Sequence, residues 1–308
     1  MLDVDTFLTW LYVVVDDWVK QAPAPRARPG PVGALSASEV VTLALFSQWA
    51  CFATERAFYR YACRHLRAAF PALPDRGQLN RLVRAHTAAI TALGHRLAAA
   101  AGARAAAYQA LDGTAVPVRN AKRRGAGWLG GEVDIGWSSL LGWYEGFYLL
   151  VAVTPTGAVT GYGIAPASTK DQRAAETFLA LRHAPDPRLP SVGPPSPAPY
   201  VADMGFAGEP NHRHWRADYD ALVISPPQHN SRQAWPAALQ RWLSRRRQIV
   251  ETVFAKLQHT FRLRADRPHH LTGFQARLAA TIALHNFCLW LNRQLGRAPL
   301  AFADLIAW

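Results

Sequence analysis

The sequence predicts an α/β protein: an all-helical region over residues 1–104, then a mixed sheet with flanking helices over 105–308. Three observations predict it. Apolar residues recur at helical spacing through the first hundred positions, with capping residues ahead of them. Near Ala105 the period changes, and two apolar runs flank Pro155-Thr156-Gly157 like the arms of a hairpin. Beyond the hairpin, helical and strand-like segments alternate, as in a sheet covered by helices.

The chain opens with "MLDVDTFLTWLYVVVDDW", where Asp3 and Asp5 stand in place of the Lys or Arg of a secretory leader. No stretch reaches eighteen uninterrupted apolar residues, so no membrane span is expected. "SASEVVTLALFSQWA" places Ser36 and Glu39 at capping-box spacing before an apolar run. In "TERAFYRYACRHLRAAF", Phe58, Tyr61 and Leu66 share one helical face and Arg56, Arg60, Arg64 and Arg67 another. The next helix starts at Pro74-Asp75 and carries Arg76, Arg81 and Arg84. Short helices with a basic final member resemble a helix-turn-helix reader of DNA. A plain bundle with a solvated arginine face fits the same pattern.

"AAAYQALDG" reads as a strand with Tyr108, Ala110 and Asp112 facing one way. The hairpin "GFYLLVAVTPTGAVTGYGIAP" follows, then a helix in "STKDQRAAETFLALRH" capped by Asp171 with Ser168. "LPSVGPPSPAP" is a proline-rich surface loop. "YVADMGFAG" and "DALVISP" are short buried strands around a helical "EPNHRHWRAD", and the chain is helical again from about Trp235.

Lys and Arg number 34 against 21 Asp and Glu, a net charge of +13. That balance favours a polyanionic partner, nucleic acid ahead of an acidic membrane surface. The excess is nearly all Arg, whose planar fork suits phosphate; a GC-rich genome also produces it. Cys51, Cys63 and Cys288 form no CxxC pair, which supports neither a zinc finger nor a disulfide framework and predicts reduced, buried thiols in a cytoplasmic protein.

Three acids stand where solvated charges would be odd. Asp112 in "QALDGT" and Asp203 in "YVADMGF" each follow an apolar strand and precede a glycine. Glu251 lies in "RRRQIVETVF", on the margin of a helix whose apolar stripe is Val250, Val253, Phe254 and Leu257. Arg247 and Gln258 share that margin. Three oxygen ligands without His or Cys suit Mg²⁺ or Mn²⁺, and two such ions can activate a water or 3′-hydroxyl at a phosphate. The bland alternatives are turn-forming aspartates and a surface pair between Arg247 and Glu251.

"LDGT", "VADMGF" and "RRRQIVETVFAKLQHTFRLR" resemble the three signature regions of DDE transposases of bacterial insertion sequences, closest to the group named after insertion sequence 982. Flanking segments extend the resemblance over roughly residues 34 to 292. It implies an RNase H-like catalytic fold carrying Asp112, Asp203 and Glu251 as metal ligands. It also implies two Mg²⁺ ions, cleavage at the element's ends, and strand transfer by a 3′-hydroxyl. Relatives often carry Tyr-x2-Arg-x3-Glu-x6-Lys around the glutamate. Arg247 and Glu251 match, whereas Ser244 and Gln258 stand at the Tyr and Lys, and Met204 follows the second aspartate. Lys256 and Arg262 are candidates to replace the missing phosphate contacts.

Further DNA contacts are expected from Lys122, Arg123 and Arg124, beside Trp128, and from His229 and Arg232 after the last strand. Arg76, Arg81 and Arg84 complete the set. Trp128, Trp137 and Trp143 read as core aromatics, with stacking on an unpaired base as the alternative. Glu132, Asp134 and Glu145 read as structural, and His212, His214, His269 and His270 as surface or phosphate contacts rather than zinc ligands. The reading that joins these features is a transposase. Residues 1–104 would bind DNA or dimerise, and 105–308 would catalyse. Arg247 would orient Glu251 or a phosphate. Its partners are double-stranded terminal repeats and target DNA, engaged as a homodimer at the bacterial nucleoid. A DNA-binding regulator that no longer cuts and a stand-alone metal-dependent nuclease are the alternatives.

Overall fold

The computed structural model describes residues 1–22, 34–120, 129, 131–228, 231, 234–264 and 269–308. The chain divides into two compact units. The first comprises Met1–Leu97, Leu257–Asp266 and His270–Trp308, and the second Ala98–Lys256 with Arg267–His269.

The first unit begins with strand β1 (Leu2–Asp3) and helix α1 (Val4–Gln21), whose N-cap Asp3 accepts from the Thr6 amide at 2.8 Å. Helix α2 (Ala37–Phe46) carries the predicted capping box, with both the Ser36 and Glu39 bonds formed. Helix α3 (Glu55–His65) is capped by Thr54 and α4 (Arg76–Ala85) by Asp75. The long helical pattern after Pro74 is broken at His86, and α5 (Thr87–Ala100) follows.

The second unit is a mixed α/β layer. Its strands are β2 (Gln109–Asn120), β3 (Asp134–Ser138), β4 (Gly142–Val153), β5 (Val159–Pro166), β6 (Tyr200–Val201) and β7 (Val223–Ile224). They pair in the order β3-β4-β2-β6-β7, with β5 on β4. The hairpin expected at Pro155-Thr156-Gly157 joins β4 to β5. Helices α6 (Asp171–His183), α7 (Glu209–Tyr219) and α8 (Ala237–Ala255) flank the sheet. Leu111, Leu150 and Ala152 pack with Phe178, Leu179 and Trp215 into one core. Full burial of each of the Leu and Phe side chains is worth about 1.5–3 kcal/mol. The proline-rich segment is tied down rather than loose: buried Arg182 donates to the Pro194 carbonyl at 2.7 Å and to Thr160 Oγ1 at 3.0 Å.

Helix α9 (Leu271–Gln294) and strand β8 (Ile306–Ala307) return to the first unit, where β8 pairs with β1. The expected division at 104/105 therefore does not describe the compact units. Helix α9 is apolar on nearly every face, so it needs burial all round. It finds that among the N-terminal helices: Phe287 meets Phe7 edge-on at 5.5 Å, and Asn286 donates to the Gly94 carbonyl at 2.9 Å.

Candidate active site

Strand β2 is longer than its apolar start suggests, so Asp112 stands inside the strand, opposite Val151 of β4, rather than at its end. On its other side β2 runs parallel to β6, with Ala110 beside Val201. Two residues further along each chain, that register brings Asp112 level with Asp203. Asp112 thus sits within β2 and Asp203 two residues past β6, in the turn that follows it. Asp203 Oδ1 accepts from the Gly205 amide at 2.7 Å and caps the short 3₁₀ turn Met204–Phe206. The turn-forming role is thus real for Asp203, and its second oxygen faces Arg247.

Helix α8 crosses this face of the sheet. Leu243, Val250, Val253 and Phe254 are buried, as the stripe predicts. Arg246 lies over the rings of Trp242 (4.2 Å) and Tyr108 (5.9 Å), which fixes the helix against the start of β2. Arg247 then reaches the aspartates. Its Nη2 is 2.8 Å from Asp112 Oδ2 and 3.6 Å from Asp203 Oδ2. Arg247 Nε is buried and has no hydrogen-bond partner among the described residues. The expectation that Arg247 orients Glu251 is corrected: its guanidinium spans to the sheet, where the two aspartates hold it. Glu251 is exposed on α8, one turn later.

Burial pushes the Asp112 carboxyl up to about 6; Arg247 opposes that rise, and Asp203 adds to it. On the opposite face of β2, the Tyr148 hydroxyl donates to Asp171 Oδ1 at 2.6 Å. Burial, then the neighbouring Asp171, holds the Tyr148 phenol far above its ordinary range. Asp171 is itself raised by burial, against the pull of the Tyr148 hydrogen bond. The expected cap of α6 is not formed. Asp171 is the first helical residue, and the Ser168 hydroxyl donates instead to Asp134 at 2.6 Å. Tyr148 and Asp171 are the site neighbours that sequence reasoning missed.

The donor chemistry fits a hard divalent cation in part. Asp112 and Asp203 offer carboxylate oxygens near one another, while the spaces beside Gly113 and Gly205 are taken up by Tyr148 and Asp171. Among the described residues, however, no group of three or more His, Cys, Asp or Glu is gathered closely enough to hold a metal ion. Glu251 does not join the pair in this arrangement.

Arg76, Arg81 and Arg84 are exposed on α4. Arg76 pairs with Glu55 at 3.4 Å, and Arg81 donates to Gln78 at 3.0 Å. Lys122, Arg123, Arg124, Trp128, His229 and Arg232 lie outside the described residues. Lys256 closes the C-terminal end of α8. Arg262 is buried and donates to the Phe52 carbonyl at 2.9 Å, which removes it as a phosphate contact. Trp137 and Trp143 are not core: they pair across β3 and β4 and are 62% and 69% exposed. His212 bonds the Phe206 carbonyl and His214 sits between Glu176 and Asp218. Cys51 is exposed, Cys63 half-buried and Cys288 buried, all unbridged. Among the described residues no helix is long and apolar enough to cross a membrane.

A family model described as a transposase DDE domain matches residues 108–287, more than half of the chain. The matched span contains β2 with Asp112, the turn after β6 with Asp203, and the whole of α8. The chain belongs to this family of DDE-domain transposases. Comparison with curated proteins and with solved structures returned no match.

Proposed function

We propose that the chain is a transposase of the group named after insertion sequence 982, and that its second unit is an RNase H-like catalytic domain. It cleaves DNA at the terminal inverted repeats of its element and joins the freed 3′ ends to target DNA. The observation that carries this reading is Asp112 within β2 beside Asp203 in the turn that follows the parallel strand β6, with one arginine bridging them. Asp112, Asp203 and Glu251 are the residues that would hold two Mg²⁺ ions, with Mn²⁺ as a substitute. Bound there, such ions supply Lewis acidity at a phosphate and a nucleophile at neutral pH.

The chain's own groups do the rest. Arg247 balances the charge of the aspartates in the free protein. Its planar fork suits a scissile phosphate once DNA is bound. The exposed arginines Arg76, Arg81 and Arg84 present a positive face to the DNA backbone, with Lys122, Arg123, Arg124, His229, Arg232 and Lys256 as further contacts. Two copies act together on paired ends, in the cytoplasm at the nucleoid. A second reading, a regulator that binds DNA without cutting it, is favoured by one observation: Glu251 stands apart from the aspartate pair. Labelled DNA from both flanks of the gene, incubated with the purified protein and Mg²⁺, separates the two. Nicks at the inverted repeats support the transposase; bound but uncut DNA supports the regulator.

A further inference from the structure

Asp171 and Tyr148 stand behind the aspartate pair in an arrangement that only two glycines permit. The Tyr148 ring lies against Gly113, where an added Cβ would sit 1.9 Å from its hydroxyl oxygen and 2.0 Å from ring carbon Cζ. That placement aims the hydroxyl at Asp171 Oδ1. The second oxygen, Asp171 Oδ2, points the other way, toward Gly205. A Cβ there would lie 2.0 Å from Asp171 Oδ2 and 2.9 Å from Asp203 Oδ1. Asp171 and Asp203 therefore face each other across the one residue of the turn that has no side chain. Gly113 follows Asp112 directly, and Gly205 follows Asp203 by two positions. Each glycine thus admits one member of the Tyr148–Asp171 pair beside one of the two aspartates.

We propose that Asp171 is a positioning residue for Asp203: held by Tyr148, its charge and its packing over Gly205 fix the Asp203 turn and strengthen its hold on a divalent cation. The inference rests on the reading of Asp112 and Asp203 as cation ligands. A negative charge close behind a ligating carboxylate favours cation occupancy over solvent. Groups in this outer position typically change metal affinity by about 10–100-fold. Tyr148 contributes direction rather than charge, so its removal has the smaller effect.

The test is Mn²⁺ binding to the full-length protein without DNA, read from the electron paramagnetic resonance signal of free Mn²⁺. Wild type is compared with Asp171→Asn, Asp171→Glu, Tyr148→Phe and Asp203→Asn, each also melted in EDTA. Asp171→Asn should weaken Mn²⁺ binding about 10–100-fold while its melting in EDTA stays at or above wild type. Asp171→Glu, which keeps the charge, should recover part of the affinity, and Tyr148→Phe should lose less than Asp171→Asn. If Asp171→Asn does not fold, Tyr148→Phe carries the test, and wild-type affinity in that variant overturns the proposal. Unchanged Mn²⁺ affinity in a folded Asp171→Asn, with affinity lost in Asp203→Asn, overturns the positioning role alone. Unchanged affinity in Asp203→Asn, or no Mn²⁺ binding by wild type, overturns the ligand reading on which the inference rests.

Discussion

Replacing Arg247 with Ala in metal-free protein should destabilise the fold in a pH-dependent way, and the size follows from the site. Removing one partner of a fully buried ion pair costs about 3–5 kcal/mol, because the other charge is left uncompensated. The Arg247 and Asp112 side chains keep 21% and 16% exposure, so solvent screens part of that loss and about 2 kcal/mol remains at pH 8. The pH dependence has a definite sign. Asp112 already has a folded pKa of about 6, above its ordinary value of 3.8. Its contribution is fully present below about pH 4 and is lost as pH rises through the folded value. Without Arg247 the folded value rises further. At pH 5 Asp112 is then protonated in the variant and largely protonated in wild type, and the missing partner matters less. The gap between the proteins should shrink to about 1 kcal/mol or below. Urea unfolding in EDTA at pH 5 and pH 8, followed by circular dichroism, measures both gaps. Arg247→Met, which keeps the aliphatic stem, should lose nearly as much at pH 8. An equal loss at both pH values would reduce Arg247 to packing, and no loss at pH 8 would mean that the ion pair is not formed.

Asp112→Asn should act in the opposite direction. A rise from 3.8 to about 6 corresponds to at most roughly 3 kcal/mol, so the Asn variant should unfold later than wild type at pH 8 in EDTA; earlier unfolding would contradict the burial cost. Gly113→Ala should displace Tyr148, with a loss of about 1–3 kcal/mol typical of overpacking, and Gly113→Ala combined with Tyr148→Ala should regain stability; failure to regain it would separate Gly113 from Tyr148. DNA binding should fall about 10³–10⁵-fold between 50 and 200 mM salt if six to ten phosphates are neutralised, and Arg81→Ala with Arg84→Ala should flatten that slope; an unchanged slope removes α4 from the interface.

Much of this was legible in the sequence where a local signal had a local cause. The Ser36 and Glu39 capping box forms because its two bonds need only four consecutive residues. The turn at Pro155-Thr156-Gly157 is likewise set by its own residues, with Gly157 at φ +92°. The apolar stripe of α8 correctly places Val250, Val253 and Phe254 inward. Other features depend on partners far away in sequence. Gly113 and Pro117 resemble strand breakers, yet β2 runs on to Asn120 because β4 pairs along its length. Helix α9 is recognisable as a helix, but its apolar surface does not say which helices will cover it. Asp171 has the position of a cap, and only the tertiary fold turns it toward Tyr148 and Asp203. Trp137 and Trp143 look like core residues, but they lie across an exposed hairpin. The aspartate pair was visible as residues; its bridge through Arg247 was not, because the helix margin suggested the nearer Glu251.

The most direct measurement is single-turnover cleavage of labelled terminal-repeat DNA at saturating protein, with wild type, Asp112→Asn, Asp203→Asn and Glu251→Gln compared in Mg²⁺. Each change removes a carboxylate charge at nearly constant volume. Wild type should cut only with the divalent cation, and all three variants should bind the DNA yet leave it intact. Cleavage by Asp112→Asn or Asp203→Asn at the wild-type rate would contradict the central claim that this aspartate pair is the catalytic centre.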